Sequence, residues 1–117
     1  MRMNEIVYTE ALPIEGYGPG FFRIDSKPVH GPICVSLRGV EPWGGLDDPE
    51  TLMQLSQDVD VLFVGTGSDI AHIPRTLRDR LEALGLGVEV MNSPSACRTY
   101  NVLLSEGRRV ALAALPV

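Results

Sequence analysis

Apolar residues change their spacing about one third of the way along the chain. Residues 1–45 carry short runs of β-branched and aromatic residues, broken by Gly and Pro, and such runs predict strands joined by turns. Ile6-Val7-Tyr8 is the first candidate strand and Phe21-Phe22-Arg23-Ile24-Asp25 the second. A turn is expected at Ser26-Lys27-Pro28, and Ile33-Cys34-Val35-Ser36-Leu37 is the clearest strand of this part. Segments so close in sequence are expected to pair antiparallel. Gly39-Val40-Glu41-Pro42-Trp43-Gly44-Gly45 is expected to be a loop holding the only Trp, which is either a plug over the core or an exposed partner contact.

From residue 46 onward the spacing becomes that of alternating helices and strands. Asp47 or Asp48 is placed to cap a short helix with Pro49 at its first position. Val59-Asp60-Val61-Leu62-Phe63-Val64 follows, and the unbroken apolar run Val61–Val64 predicts a parallel strand buried on both faces. After the loop Gly65-Thr66-Gly67-Ser68-Asp69, a helix starts near Pro74 and aligns Leu77, Leu81 and Leu84 on one stripe. Gly85 ends it, and Gly87-Val88-Glu89-Val90-Met91 is the next strand. This is a βαβ unit, for which parallel pairing is expected. A second helix is predicted from Ser93 as cap and Pro94 as first residue. Ala96, Cys97, Tyr100, Leu103 and Leu104 lie on its inner face and Gly107 follows its end. Arg109–Leu115 is a last short strand.

The bulk numbers narrow the class. The 117 residues are 44% hydrophobic and 21% charged, enough to build one core without metal or disulfide. One domain over 1–117 is expected. The net charge of −5 argues against a nucleic-acid partner, because phosphate neutralisation wants a basic surface. Cys34 and Cys97 stand alone, with no zinc-like spacing, so neither metal nor cofactor is assigned. The opening residues lack the apolar stretch of a signal peptide, and no run is long enough to span a bilayer. A cytoplasmic protein that is not integral to a membrane is expected.

Candidate chemistry gathers where the two parallel strands end. Open α/β sheets bind ligands at the carboxyl edge, and a helix N-terminus there favours anions. Gly65, Thr66 and Gly67 end one strand, and Ser93 and Ser95 start the helix after the other. The Gly65-Thr66-Gly67 turn fails as a dinucleotide loop, because Ile70 stands where a third Gly is needed, and it lacks the Lys of a phosphate loop. It is either a tight turn or part of an anion site. Arg98-Thr99-Tyr100-Asn101 is a dense polar tetrad in the same helix. Arg98 is placed to reach back to an anion, whereas Tyr100 on the inner stripe suggests a core residue with its hydroxyl tied off. Whether the tetrad is a ligand site or a structural network stays open. Cys97 lies near a helix start, which lowers a thiol pKa, but its inward face favours an inert, buried thiol. His30 and His72 have no partner at catalytic or metal spacing, and no catalytic residue is assigned.

The run Gly65-Thr66-Gly67, Pro74, Leu77, Gly87–Met91, Ala96-Cys97-Arg98-Thr99-Tyr100-Asn101 and Glu106-Gly107-Arg108 resembles a small family of uncharacterised domains. That family includes a mitochondrial respiratory complex I assembly factor and an adipogenesis-associated protein of animals, along with many bacterial and archaeal proteins. The resemblance covers about residues 14–115, and the Ala-x-Arg-Thr-Tyr-Asn stretch with Glu-Gly-Arg is its most specific part. It implies an α/β, three-layer domain with a mixed central sheet, extra β structure from the first third and a βαβ unit in the second half. It implies no established catalytic residues. Gly65, Gly67 and Arg98–Asn101 are signature positions only.

Two functions follow as expectations. The first is a non-enzymatic interaction or assembly-type domain with a protein partner in a respiratory or membrane complex. The alternative is a small anionic-ligand-binding domain, or an enzyme, with its site at the carboxyl edge of the sheet.

Overall fold

The apolar run at 61–64 becomes part of the middle of a five-stranded sheet. In the computed structural model, which describes residues 11–117, the chain first forms β1 (Gly16–Gly18), β2 (Phe21–Ile24) and β3 (Lys27–His30), an antiparallel sheet in that order. The second sheet takes β4 (Ile33–Ser36), β5 (Gly39–Pro42), β6 (Val61–Thr66), β7 (Gly87–Met91) and β8 (Val110–Leu115) in the order β5-β4-β8-β6-β7. Here β8, β6 and β7 are parallel, while β4 runs antiparallel to both β8 and β5. Helix α1 (Pro49–Met53) continues into a 3-10 turn, α2 (Arg75–Ala83) links β6 to β7, and α3 (Ser93–Ser105) links β7 to β8.

Alternation along the strands sorts side chains into two cores, which is the reason for three layers. Leu62 and Val64 of β6 and Ala111 and Ala113 of β8 face Leu77 and Leu81 of α2, together with Leu52, Leu55 and Trp43. Their neighbours Phe63, Val110, Leu112 and Ala114 face the other way, onto Ala96, Cys97 and Tyr100 of α3. Phe22 and Ile24 of the small sheet complete that second core. The parallel βαβ unit, the mixed sheet and the added β structure agree with the sequence.

Several expectations shift. The Ile6–Tyr8 strand lies outside the described residues. Gly39–Pro42 is the strand β5 rather than loop, paired with β4 from Ile33↔Pro42 to Ser36↔Gly39. The first third therefore supplies two strands of the main sheet as well as the small one. The turn falls at Asp25-Ser26, and Lys27-Pro28 already belong to β3, an edge strand where a residue without N–H is tolerated. Asp25 and Ser26 have φ of 53° and 65°, the left-handed pair that a two-residue hairpin needs. Leu84 ends up exposed, so the stripe of α2 reduces to Leu77 and Leu81. Asn92, not Ser93, caps α3, its side chain accepting from Ser95 N–H at 2.8 Å, and Pro94 takes the second position. Asp48 is the cap of α1, and Trp43 is a buried plug whose indole N–H donates to Asp48 O at 3.1 Å.

The hairpin turn yields the first prediction. A non-Gly residue held left-handed costs about 1–2 kcal/mol. Ser26→Gly should therefore raise stability by about 0.5–1 kcal/mol, after allowance for the greater freedom of Gly in the unfolded chain. Urea unfolding of the two proteins checks it.

Candidate functional site

Helices α2 and α3 leave adjacent parallel strands, β6 and β7, and pack on opposite faces of the sheet. A crevice is expected at that point, just beyond the carboxyl ends. On the α3 side it is filled by Ser93. Ser93 N–H donates to Gly67 O at 2.7 Å, and Gly67 N–H donates back to Ser93 Oγ at 2.8 Å. The Ser93 hydroxyl in turn donates to Leu115 O at 2.6 Å. One fully buried side chain thus ties the ends of β6 and β8 to the start of α3.

This lock explains the Gly65-Thr66-Gly67 turn. A Cβ on Gly65 would lie 2.7 Å from Ser93 Oγ and 2.8 Å from Ser93 Cα, so no larger residue fits without displacing α3. Gly67 has a φ of +98°, which aims both its N–H and its C=O at Ser93. The Thr66 hydroxyl accepts from Ala71 N–H at 3.0 Å and donates to Asp69 O at 2.8 Å, with Met91 O at 3.2 Å as a second acceptor. It pins the loop after β6 to the end of β7.

The tetrad divides into four different environments. Arg98 is exposed, and its guanidinium donates weakly to Ser95 Oγ at 3.4 Å. The Thr99 hydroxyl lies 3.6 Å from Met91 Sδ. Tyr100 is fully buried, with its hydroxyl donating to Leu12 O at 2.9 Å. The Asn101 amide meets the backbone of Ile14 twice: Nδ2 donates to Ile14 O, and Oδ1 accepts from Ile14 N–H, each at 2.8 Å. Tyr100 and Asn101 therefore hold residues 12–14 onto α3, as a neighbouring strand would. Nothing in the local sequence around 12–14 signals this partner, since the contact spans most of the chain.

Burial sets the titration of both thiols and of Tyr100. The Cys97 thiol is pushed up from 9.0 to about 11, mainly by burial, with the Arg98 charge opposing it. Cys34 rises to about 12, mainly by burial and next through the charge of Glu41. Burial also raises the Tyr100 phenol. The helix start thus does not activate Cys97, and the thiol is the inert one expected from its face. Among the described residues, no group of three or more His, Cys, Asp or Glu is placed to hold a metal ion. No helix among them is long and apolar enough to cross a membrane.

On the α2 side a hollow stays open beside the edge strand β7, under the loop that leaves β6. A cavity of about 250 Å3 is lined by Ile70, Ala71, His72, Ile73, Arg78 and Val90. Sequence reasoning passed over it. The available signal was the apolar pair Ile70 and Ile73 in a stretch that is otherwise loop, with Ile70 left 66% exposed.

A mixed five-stranded sheet between two helical layers, with a small antiparallel sheet added on one side, defines a three-layer α/β domain. The chain belongs to the family described as protein of unknown function (DUF498/DUF598), which matches residues 14–115. It is 50% identical to an uncharacterised protein of Rhodobacter capsulatus, over all of this chain and 94% of that protein. It is 30% identical to NADH dehydrogenase [ubiquinone] 1 alpha subcomplex assembly factor 3 of Danio rerio, over 88% of this chain and 63% of that protein. The human protein of the same name is 28% identical, over 92% of this chain and 62% of its own length. The chain thus spans less than two thirds of these animal relatives. Among solved structures it is similar to an outer membrane protein from Bartonella henselae, with a TM-score of 0.84, 31% identity and coverage of 92% and 96% of the two chains. It is also similar to a Bordetella pertussis protein described as a Mth938-like domain, with a TM-score of 0.75, 27% identity and coverage of 90% and 85%.

Two predictions follow. Ser93→Ala leaves the buried Gly67 N–H and the partly buried Leu115 O without their partner and should cost about 1–3 kcal/mol. Arg98→Ala, at an exposed position, should stay within about 0.5 kcal/mol of the parent. Chemical denaturation of both variants checks the contrast. The second concerns pH. Cys34, Cys97 and Tyr100 are all raised in the fold, so their neutral forms are favoured there. Their contribution is complete below about pH 9 and is lost as pH rises through the folded values. The urea midpoint should fall between about pH 9 and pH 11, and both thiols should resist iodoacetamide at about pH 8 until the protein unfolds.

Proposed function

We propose that this chain is a non-enzymatic interaction domain that assists the assembly of a respiratory complex by binding a protein partner of that complex. The observation that carries this reading is the likeness, across about nine tenths of the chain, to proteins named as NADH dehydrogenase assembly factors. Their partners belong to longer proteins and come to this chain only by analogy. The geometry is in keeping with it. Of the residues that mark the resemblance, Tyr100 is spent on Leu12 O and Asn101 on Ile14, and Ser93 nearby is spent on Gly67 and Leu115. An anion at the start of α3 would have to compete with the Asn92 cap and the Ser93 lock, and only Arg98 would be free to receive it. The use of the chain as one domain, and a cytoplasmic setting, belong to the same proposal.

Deletion of the gene in the organism that carries it is the test. Assembled NADH dehydrogenase, read on native gels by its in-gel activity, should fall severalfold and return when the gene is restored. Normal assembly in the deletion strain would overturn the reading.

A further inference from the structure

The cavity on the α2 side belongs to none of the contacts described for the α3 side. We propose that it is a binding site for a short-chain carboxylic acid, a small molecule with one carboxylate and an apolar tail. Three features carry this.

The first is placement. Two helices that leave adjacent parallel strands on opposite faces create a crevice at the carboxyl edge, where ligands of open α/β sheets collect. Ser93 fills the α3 side, and on the α2 side a hollow lies near the carboxyl end of β7, bounded by Val90 and the loop after β6.

The second is the wall. Ile70, Ala71, Ile73 and Val90 give it an apolar lining, and Ile70 is 66% exposed at this site. An exposed Ile beside a hollow is apolar surface that an apolar tail would remove from water. At about 250 Å3 the space lies below the ~300–1,000 Å3 of drug-sized pockets, so its occupant is small.

The third is the polar end. The Arg78 guanidinium lines the cavity, and Nη1 donates to Val88 O at 3.2 Å and to Glu82 Oε2 at 3.3 Å. Val88 O lies on the outer edge of β7, so this bond holds the guanidinium over the strand beside the hollow. Both bonds use one nitrogen. Nε and Nη2 remain as the parallel pair of donors that a carboxylate takes in bidentate fashion. Glu82 is half exposed and its pair with Arg78 is screened by water, so it competes weakly. His72 adds a second polar group to the same wall.

The inference does not depend on the assembly role, and the two fail separately, because one is read in cells and the other on the isolated protein. The experiment is an NMR titration of the 15N-labelled chain with hexanoate, with hexanamide as the uncharged control. Hexanoate should shift the amides of Ile70–Ile73, Arg78 and Val90 and saturate at millimolar concentration. Hexanamide should bind at least about tenfold more weakly, as the loss of a charge-assisted pair requires. Arg78→Gln should weaken hexanoate by a similar factor. Ile70→Asp, at an exposed position that does not threaten the fold, should abolish the shifts. Overturning results are no saturable shift at tens of millimolar, shifts centred elsewhere, or equal binding of hexanoate and hexanamide.

Discussion

The fold depends on one buried serine. Ser93 is the first residue of α3, and its backbone and hydroxyl together make three hydrogen bonds to the ends of two different strands. The bond from Gly67 N–H to Ser93 Oγ is buried, so its loss leaves a donor without a partner or water. The constraint spreads outward. Ser93 comes so close to β6 that position 65 has no room for a side chain, and position 67 must take a positive φ to present its N–H and C=O. The identity of the Gly-x-Gly turn therefore follows from where α3 begins. A phosphate-type loop has the same glycines because a ligand comes close to its backbone. Here it is the chain's own helix that does so.

The position of β8 has a similar reach. The last strand lies between β4 and β6, and it is the junction between the antiparallel and parallel parts of the sheet. Its residues are apolar, with the small Ala at 111, 113 and 114, and α3 packs closely across it. Ser93 holds the end of this strand at Leu115, and α3 then carries residues 12–14 through Tyr100 and Asn101. The helix thus joins residues 12–14 and the end of β8 to one another, and its polar residues are the joints.

These joints mark the limit of what the sequence could show. The parallel unit, both long helices and the buried face of β6 were legible, because periodicity of apolar residues is set by local geometry. Strand β5 was not, since Gly39, Pro42 and the nearby Gly44-Gly45 look like loop, and it is pairing with Ile33–Ser36 that makes them a strand. The turn at Asp25-Ser26 was placed one residue late, at Ser26-Lys27-Pro28, because neither residue is Gly, which normally marks a left-handed pair. Ser93 was given the cap because Ser before Pro is a common start. Asn92 caps instead, which frees the Ser93 hydroxyl for Leu115. Of the tetrad, Tyr100 was legible as a core residue with its hydroxyl tied off, because it falls on the inner stripe. The roles of the other three were not, since they depend on which segments they meet.

The two sides of the carboxyl edge differ for a physical reason. On the α3 side the connection from β7 is nearly immediate, with Asn92 alone between strand and helix. The helix start is pulled against the sheet, and its first side chain fills the gap. On the α2 side eight residues separate Thr66 from Arg75. The Thr66 hydroxyl pins that loop at Asp69 and Ala71 and to the end of β7, and Ile73 packs against the α2-side core, but Ile70 is left exposed. A longer connection spans a wider gap, and Ile70 faces a hollow instead of packed neighbours. A chain under selection for stability alone gains by shortening such a loop or filling such a hollow. That this loop keeps an exposed Ile70 and sets it beside an oriented guanidinium is the part of the molecule that fold stability does not explain.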